Sequence, residues 1–174
     1  MFPINQPVKI GFVAGIILIV YSTILYAFDI DIYDIAFSIV NGIIIFGLLI
    51  FAAIMGMKKM RDIALAGKIT YLQAFVGGFV VFFIALYLSN IFGFILNGYI
   101  DPEYLPSKMD GLISKMEDMM PEEALDKMIS NMEENLDPMK VFIKSLWLSP
   151  VIAIGLSAIL ALFVKKDTTS ANLA

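Results

Sequence analysis

The chain has 174 residues, 60% of them hydrophobic and 16% charged, with a formal net charge of −4. A soluble domain of this size carries charge on about a quarter of its residues, so the composition points to lipid as the solvent. The absence of cysteine and histidine excludes disulfide staples, thiolate chemistry and imidazole-based metal ligation or acid–base catalysis.

Four long uncharged stretches run from Ile10 to Phe28, Ile35 to Met57, Ile69 to Ile100 and Ser145 to Val164. A helix rising ~1.5 Å per residue crosses a ~30 Å hydrocarbon layer within each of them. Backbone groups cannot go unpaired in lipid, and these runs are continuous rather than alternating, which selects helices over barrel strands. The predicted fold is therefore an all-α membrane protein, one four-helix domain over residues 1–174. Its transmembrane helices are expected at about 10–28, 35–57, 71–98 and 140–164, with an extracytoplasmic helical insert over 101–137.

The first run is longer than the apolar core of a signal peptide, and no small–x–small cleavage site lies near Tyr26, Ala27 and Phe28. It reads as a retained anchor. Gly11 and Gly15 give it a small-xxx-small face suited to close helix packing. In the third run, Thr70 and Gln73 have capping-box spacing, which places the helix start at Tyr71. From Tyr71 to Gly98 that helix exceeds ~40 Å, longer than the apolar layer, so it must tilt, bend or project. Gly77, Gly78, Gly93 and Gly98 are the expected bending points, and Ser89 with Gly93 offers a second small-residue step.

Between the third and fourth runs, Leu105, Met109, Leu112, Ile113, Met116, Met119 and Met120 recur at helical spacing, and Leu125, Met128, Ile129, Met132 and Leu136 do so after Pro121. Two amphipathic helices broken at Met120–Pro121 are predicted, with Glu122 and Glu123 favoured by the second helix's dipole. Asp137–Pro138 then caps the helix leading into the last span, where Pro150 should kink the backbone and Ala153, Ser157 and Ala161 form a small-residue face.

The charges sort by sign. The N-terminal segment, the linker between spans two and three, and the C-terminal tail hold seven basic and two acidic residues; the other two linkers hold 14 acidic and five basic. Short basic loops stay cytoplasmic, so both termini are expected inside and both acidic linkers outside. Tyr26, Tyr33, Tyr99, Tyr104 and Trp147 would then sit near the outer interface, where amphipathic rings concentrate.

No Asp, Glu, Lys or Arg lies inside a span, which counts against a proton-coupled pump. The polar candidates within the spans are Asn41, Asn90 and Asn97. They either join helices by hydrogen bonds or line a path for a small solute. The insert offers a candidate contact face of Leu105, Met109, Leu112, Met116, Leu125, Met128, Met132 and Leu136 on an acidic background. Helices that lie on anionic lipid carry Lys and Arg instead, so this stripe is expected to pack within the chain or onto a partner. Its methionines share positions with Leu and Ile, as an apolar stripe does, and the acidic residues Asp29, Asp31, Asp34, Asp101 and Glu103 match no EF-hand loop. No cofactor or metal is expected.

Residues Gly67-Lys68-Ile69-Thr70-Tyr71-Leu72-Gln73-Ala74-Phe75, then Asp101-Pro102-Glu103-Tyr104, the acidic Met/Leu insert, Ser157 and Lys165-Lys166 carry a resemblance. In these the chain resembles a family of small four-span bacterial membrane proteins known only as a domain of unknown function. The resemblance implies a fold and a location, and no reaction or catalytic residue. The expectation is a non-enzymatic protein of the bacterial cytoplasmic membrane whose outer helical hairpin mediates contact. Its partners would be the lipid bilayer, another membrane or extracytoplasmic protein, or a second copy in a homo-oligomer, and not nucleic acid. The alternative is an oligomeric small-solute transport or channel component.

Overall fold

A computed structural model describes residues 2–166 apart from 33, 118, 119, 134 and 135. Tyr33, Met119 and the side chain of Met132, singled out above, lie outside that description. Six α-helices follow one another: α1 (Asn5–Ala27), α2 (Ile35–Lys59), α3 (Tyr71–Ile95), α4 (Tyr104–Met116), α5 (Glu122–Glu133) and α6 (Pro138–Val164). Among the described residues there is no strand, only one isolated antiparallel bridge between Ile69 and Lys166. Four helices are long and apolar enough to cross a membrane: Asn5–Ala27, Ala36–Ala64, Tyr71–Ile100 and Pro138–Val164.

The helix boundaries follow local chemistry. Thr70 and Gln73 form a reciprocal capping box, the Gln73 N–H donating to Thr70 Oγ1 at 3.3 Å and the Thr70 N–H to Gln73 Oε1 at 3.0 Å. Two orphan N–H groups of the first turn are thereby satisfied. Asp34 caps α2 by accepting from the Phe37 N–H at 2.8 Å. Asp137 caps α6 by accepting from Met139 and Lys140, with Pro138 at the first helical position. α2 and α3 each end in a five-residue π-helical segment, Met60–Ala64 and Leu96–Ile100.

α3 is the hub, packed chiefly against α6 and α1 and less against α2. Small residues make the close approaches, as association in lipid requires. A Cβ at Gly11 would stand 3.0 Å from Ile84 Cβ and 3.2 Å from the Val81 carbonyl; one at Gly15 would stand 2.7 Å from Leu88 Cδ1. Ala153, Ser157 and Ala161 are wholly buried on α6. Gly77 and Gly78 are not bends: α3 stays α-helical through both, and they admit Met60, Met57 and Ser157 to its backbone. The departure from α geometry comes later, at Leu96, next to Gly98.

The core lies toward the basic end. Val81, Phe82, Ala85, Ala53, Met57 and Met60 have no exposed surface. At that end the Ile69–Lys166 bridge exchanges two backbone hydrogen bonds of 3.3 and 2.9 Å, tying the α2–α3 linker to the segment after α6. The acidic end is looser. On α2, burial begins only at Leu49, so its first half stands away from the core.

Candidate functional site: a covered polar chamber

The looseness leaves a half-open chamber of about 360 Å³ between the second half of α1, the first half of α2, the last turns of α3 and the start of α4. Small-molecule sites occupy ~300–1,000 Å³, so this one is at the small end of the range. Its polar lining is Tyr21 and Ser22 from α1, Asn41 from α2, and Ser89 and Asn97 from α3 and its π-helical extension. Leu25, Ile32, Ile45, Phe92, Leu96 and Leu105 supply apolar wall. Among the described residues no charged side chain lines it.

A second chamber of about 110 Å³ lies between α3 and α6, bounded by Asn90, Phe94, Pro138, Val141, Phe142 and Ser145. The two chambers share Ser89, Gly93, Asn97 and Leu105. Ser89, Gly93 and Asn97 are four residues apart and so form one face of α3. A side chain at Gly93 would find nothing within 4 Å. The expected Ser89–Gly93 packing step is therefore part of a chamber wall and not a helix seam.

The three asparagines have different roles. Asn41 Oδ1 accepts from the Tyr21 hydroxyl at 2.9 Å, linking α2 to α1. Asn90 Nδ2 donates to Ser149 Oγ at 2.8 Å, linking α3 to α6. Asn97 Nδ2 donates to the Gly93 carbonyl at 2.8 Å, and its amide oxygen is buried with no donor among the described residues. A buried acceptor left unmatched costs about 1–3 kcal/mol. The π-helical turn holds it there; such turns are frequent at functional sites.

The start of α4 borders the chamber at the acidic end. Tyr104 is 8% exposed and meets Tyr26 edge-on at 5.0 Å between ring centroids. The Tyr26 hydroxyl donates to Asp101 at 3.0 Å. Lys108 pairs with the Asp29 carboxylate at 2.6 Å and donates to its backbone carbonyl at 2.8 Å. Asp29 sits at φ +52°, in the left-handed region that L-residues adopt at a cost. Tyr26 and Tyr104, expected as rings of an interfacial belt, are thus turned inward over the chamber. Tyr99 and Trp147 point away from the bundle, at 72% and 78% exposure.

The contact stripe is also turned inward. Met109 and Leu125 are buried, and Leu105, Leu112, Met116, Met128 and Leu136 are half-buried. α4 and α5 contact each other, and no large hydrophobic residue from 101 to 138 is strongly exposed among those described. Asp29, Asp101 and Glu103 do meet on one open rim beside Tyr26 and Tyr104, where Lys108 takes the Asp29 carboxylate. That these acidic residues could share a rim was legible in the sequence; the Lys108–Asp29 pair and the chamber were not, because both depend on which residues the ends of α1 and α3 bring together.

Together these features define a multi-pass membrane protein: an all-helical chain with four helices apolar enough to cross a membrane and two shorter helices, α4 and α5, between the last two in sequence. The family model described as "Protein of unknown function (DUF4199)" matches residues 9–166, and the chain belongs to that family. No curated protein and no solved structure matches it.

Proposed function

We propose that this chain is a non-enzymatic protein of the bacterial cytoplasmic membrane that holds a small ligand in the chamber under α4. Both termini are cytoplasmic, and the α4–α5 hairpin is an extracytoplasmic cover packed on its own chain. The supporting observation is the roughly 360 Å³ chamber itself, which is mainly apolar with a few uncharged polar groups and is bordered by Tyr104 and Leu105.

The chemistry of the lining argues for binding over catalysis. Ser22 and Ser89 are the hydroxyls best placed to act as nucleophiles, yet no carboxylate, Lys or His stands among the lining residues to activate them. Charge sorting supports the orientation, since the basic linkers gather at the end opposite the chamber. Toward that end the bundle closes: Leu18, Leu49, Phe82 and Ala85 are buried against one another's helices. A single copy therefore binds, and passage across the membrane would need the oligomer of the transport reading.

The absence of native cysteine makes the test direct. In intact cells, Ser22→Cys and Ser130→Cys should react with a small membrane-impermeant methanethiosulfonate, whereas Lys59→Cys and Ser157→Cys should not. Protection of Ser22→Cys at every reagent concentration, in a protein whose Ser130→Cys reacts, would remove the chamber from the reading and leave the topology standing.

A further inference from the structure

We propose that the basic end of the bundle binds an acidic phospholipid, its phosphate at Lys68, Lys165 and Lys166 and its acyl chains along the adjoining faces of α3 and α6. This surface lies opposite the chamber, and its chemistry does not depend on whether the chamber takes a ligand.

Charge comes first. Lys58, Lys59, Arg61, Lys68, Lys165 and Lys166 gather where α2 ends, α3 begins and α6 ends. Asp62 is the acid that the described residues place among them, and Arg61 takes both of its oxygens, at 2.7 and 3.2 Å. Lys58 and Lys166 lie within electrostatic reach of the same carboxylate, so the segment after α6 returns to the end of α2. The five lysines are exposed and have no ion pair among the described residues. Asp167 follows in the sequence, outside the described residues.

The backbone then holds three of these lysines together. Two hydrogen bonds pair Ile69 with Lys166, at 3.3 and 2.9 Å. Residues paired across an antiparallel bridge stand ~5 Å apart at Cα, which brings Lys68, Lys165 and Lys166 within reach of one phosphate. Helix dipoles account for the lysines at the C-terminal ends of α2 and α6 but not for Lys68. It stands two residues before the Thr70 cap, at the positive end of α3, where an anion is favoured. A cation held there beside two others calls for a negative partner.

What adjoins the lysines makes that partner a lipid. Leu162 and Phe163 on the last turn of α6 are 56% and 80% exposed, and Leu72 on the first turn of α3 is 57% exposed. The Tyr71 hydroxyl donates to the Ala158 carbonyl at 3.3 Å, so the start of α3 lies against the end of α6. Acyl chains cover such apolar surface directly beneath the ammonium groups, as at basic pockets between membrane helices. A soluble acidic peptide would leave it bare. In the orientation proposed above, this end meets the cytoplasmic leaflet, whose surface is negative.

Native mass spectrometry of the protein released from dodecyl maltoside micelles tests the site independently of orientation. Phosphatidylglycerol with palmitoyl and oleoyl chains should bind at least tenfold more tightly than the matching phosphatidylcholine. Lys68→Gln with Lys166→Gln should weaken its binding about tenfold. Both side chains are exposed and the bridge is made by backbone, so this variant should keep the lipid-free melting temperature of the parent. Lys68→Arg with Lys166→Arg should restore binding. Lys127→Gln with Lys140→Gln, an equal change of charge on exposed lysines beyond the other end of the bundle, should leave it unaltered. Equal binding of phosphatidylcholine, retained binding in the Lys68 and Lys166 glutamine pair, or an equal loss in the control pair would overturn the site. So would displacement of the lipid by glycerol 3-phosphate or by a polyglutamate peptide at equal concentration, which would assign the surface to a soluble phosphate or an acidic protein.

Discussion

Tyr87 donates its hydroxyl to the backbone carbonyl of Leu146 at 2.9 Å, joining α3 to α6 at the carbonyl that Pro150 leaves without its helical partner. Proline at position i removes the N–H that would bond to i−4, and in lipid no water replaces it. The donor comes from a ladder on α3, Phe75, Phe79, Phe83 and Tyr87, whose consecutive rings lie 4.2–6.4 Å apart. Tyr87→Phe should therefore destabilise the bundle by about 1 kcal/mol, in the range of hydrogen bonds between membrane helices. In a Pro150→Ala background the helix regains its own donor and the same change should cost much less. Unfolding by SDS in mixed micelles gives both values, and an equal loss in the two backgrounds would separate the tyrosine from the proline.

A second expectation concerns the α1–α3 seam. A Cβ at Gly11 meets the Val81 carbonyl at 3.2 Å, and backbone cannot yield as a side chain does. Gly11→Ala and Gly15→Ala should each cost about 1–3 kcal/mol, the range for overpacking a close-fitted core. Gly42 and Gly47 on α2 face open space. Their alanine variants should lie within about 0.5 kcal/mol of the parent, by the same unfolding measurement.

What could be read beforehand follows from how local each signal is. The four apolar helices, the capping box at Thr70–Gln73 and the Asp137–Pro138 start are written in contiguous residues, and the chain has them. Gly11 and Gly15 were legible as packing positions because their spacing alone sets a face. Gly77 and Gly78 misled as bends: a glycine permits bending and close approach equally, and only the neighbours, Met57 and Ser157, decide. The three asparagines could be named but not sorted. Asn90 is half of a bond to Ser149 and Asn97 keeps an unmatched oxygen, a difference made by α6 and the π-helical turn and invisible in their spacing.

The inward stripe of the hairpin yields a third expectation. Met109 and Leu125 are buried within the chain. Met109→Ser and Leu125→Ser should each cost about 2–4 kcal/mol locally, the loss for truncating buried side chains, and should open the hairpin to proteolysis between Glu103 and Leu136. If the stripe served only a partner, the isolated protein would resist protease as well as the parent does.

The α2–α3 linker provides the last expectation. It turns through Ala66 at φ +50° and Gly67 at φ +82°, then enters α3 through the Thr70 cap, with Ile69 held by Lys166. Gly67→Ala puts a Cβ into the left-handed region and should cost about 1–2 kcal/mol, although nothing lies within 4 Å of it. Ala66→Gly releases a similar strain but loosens the unfolded chain by about 0.4–1 kcal/mol, so the two terms nearly cancel. Thr70→Ala removes the cap and should cost about 1 kcal/mol, while Thr70→Asp should retain most of it. The order Gly67→Ala, Thr70→Ala, Ala66→Gly, from most to least destabilising, is the expected result of SDS unfolding. Because the same linker carries the Ile69–Lys166 bridge, amide exchange at Ile69 and Lys166 should quicken in the first variant and stay unchanged in the third.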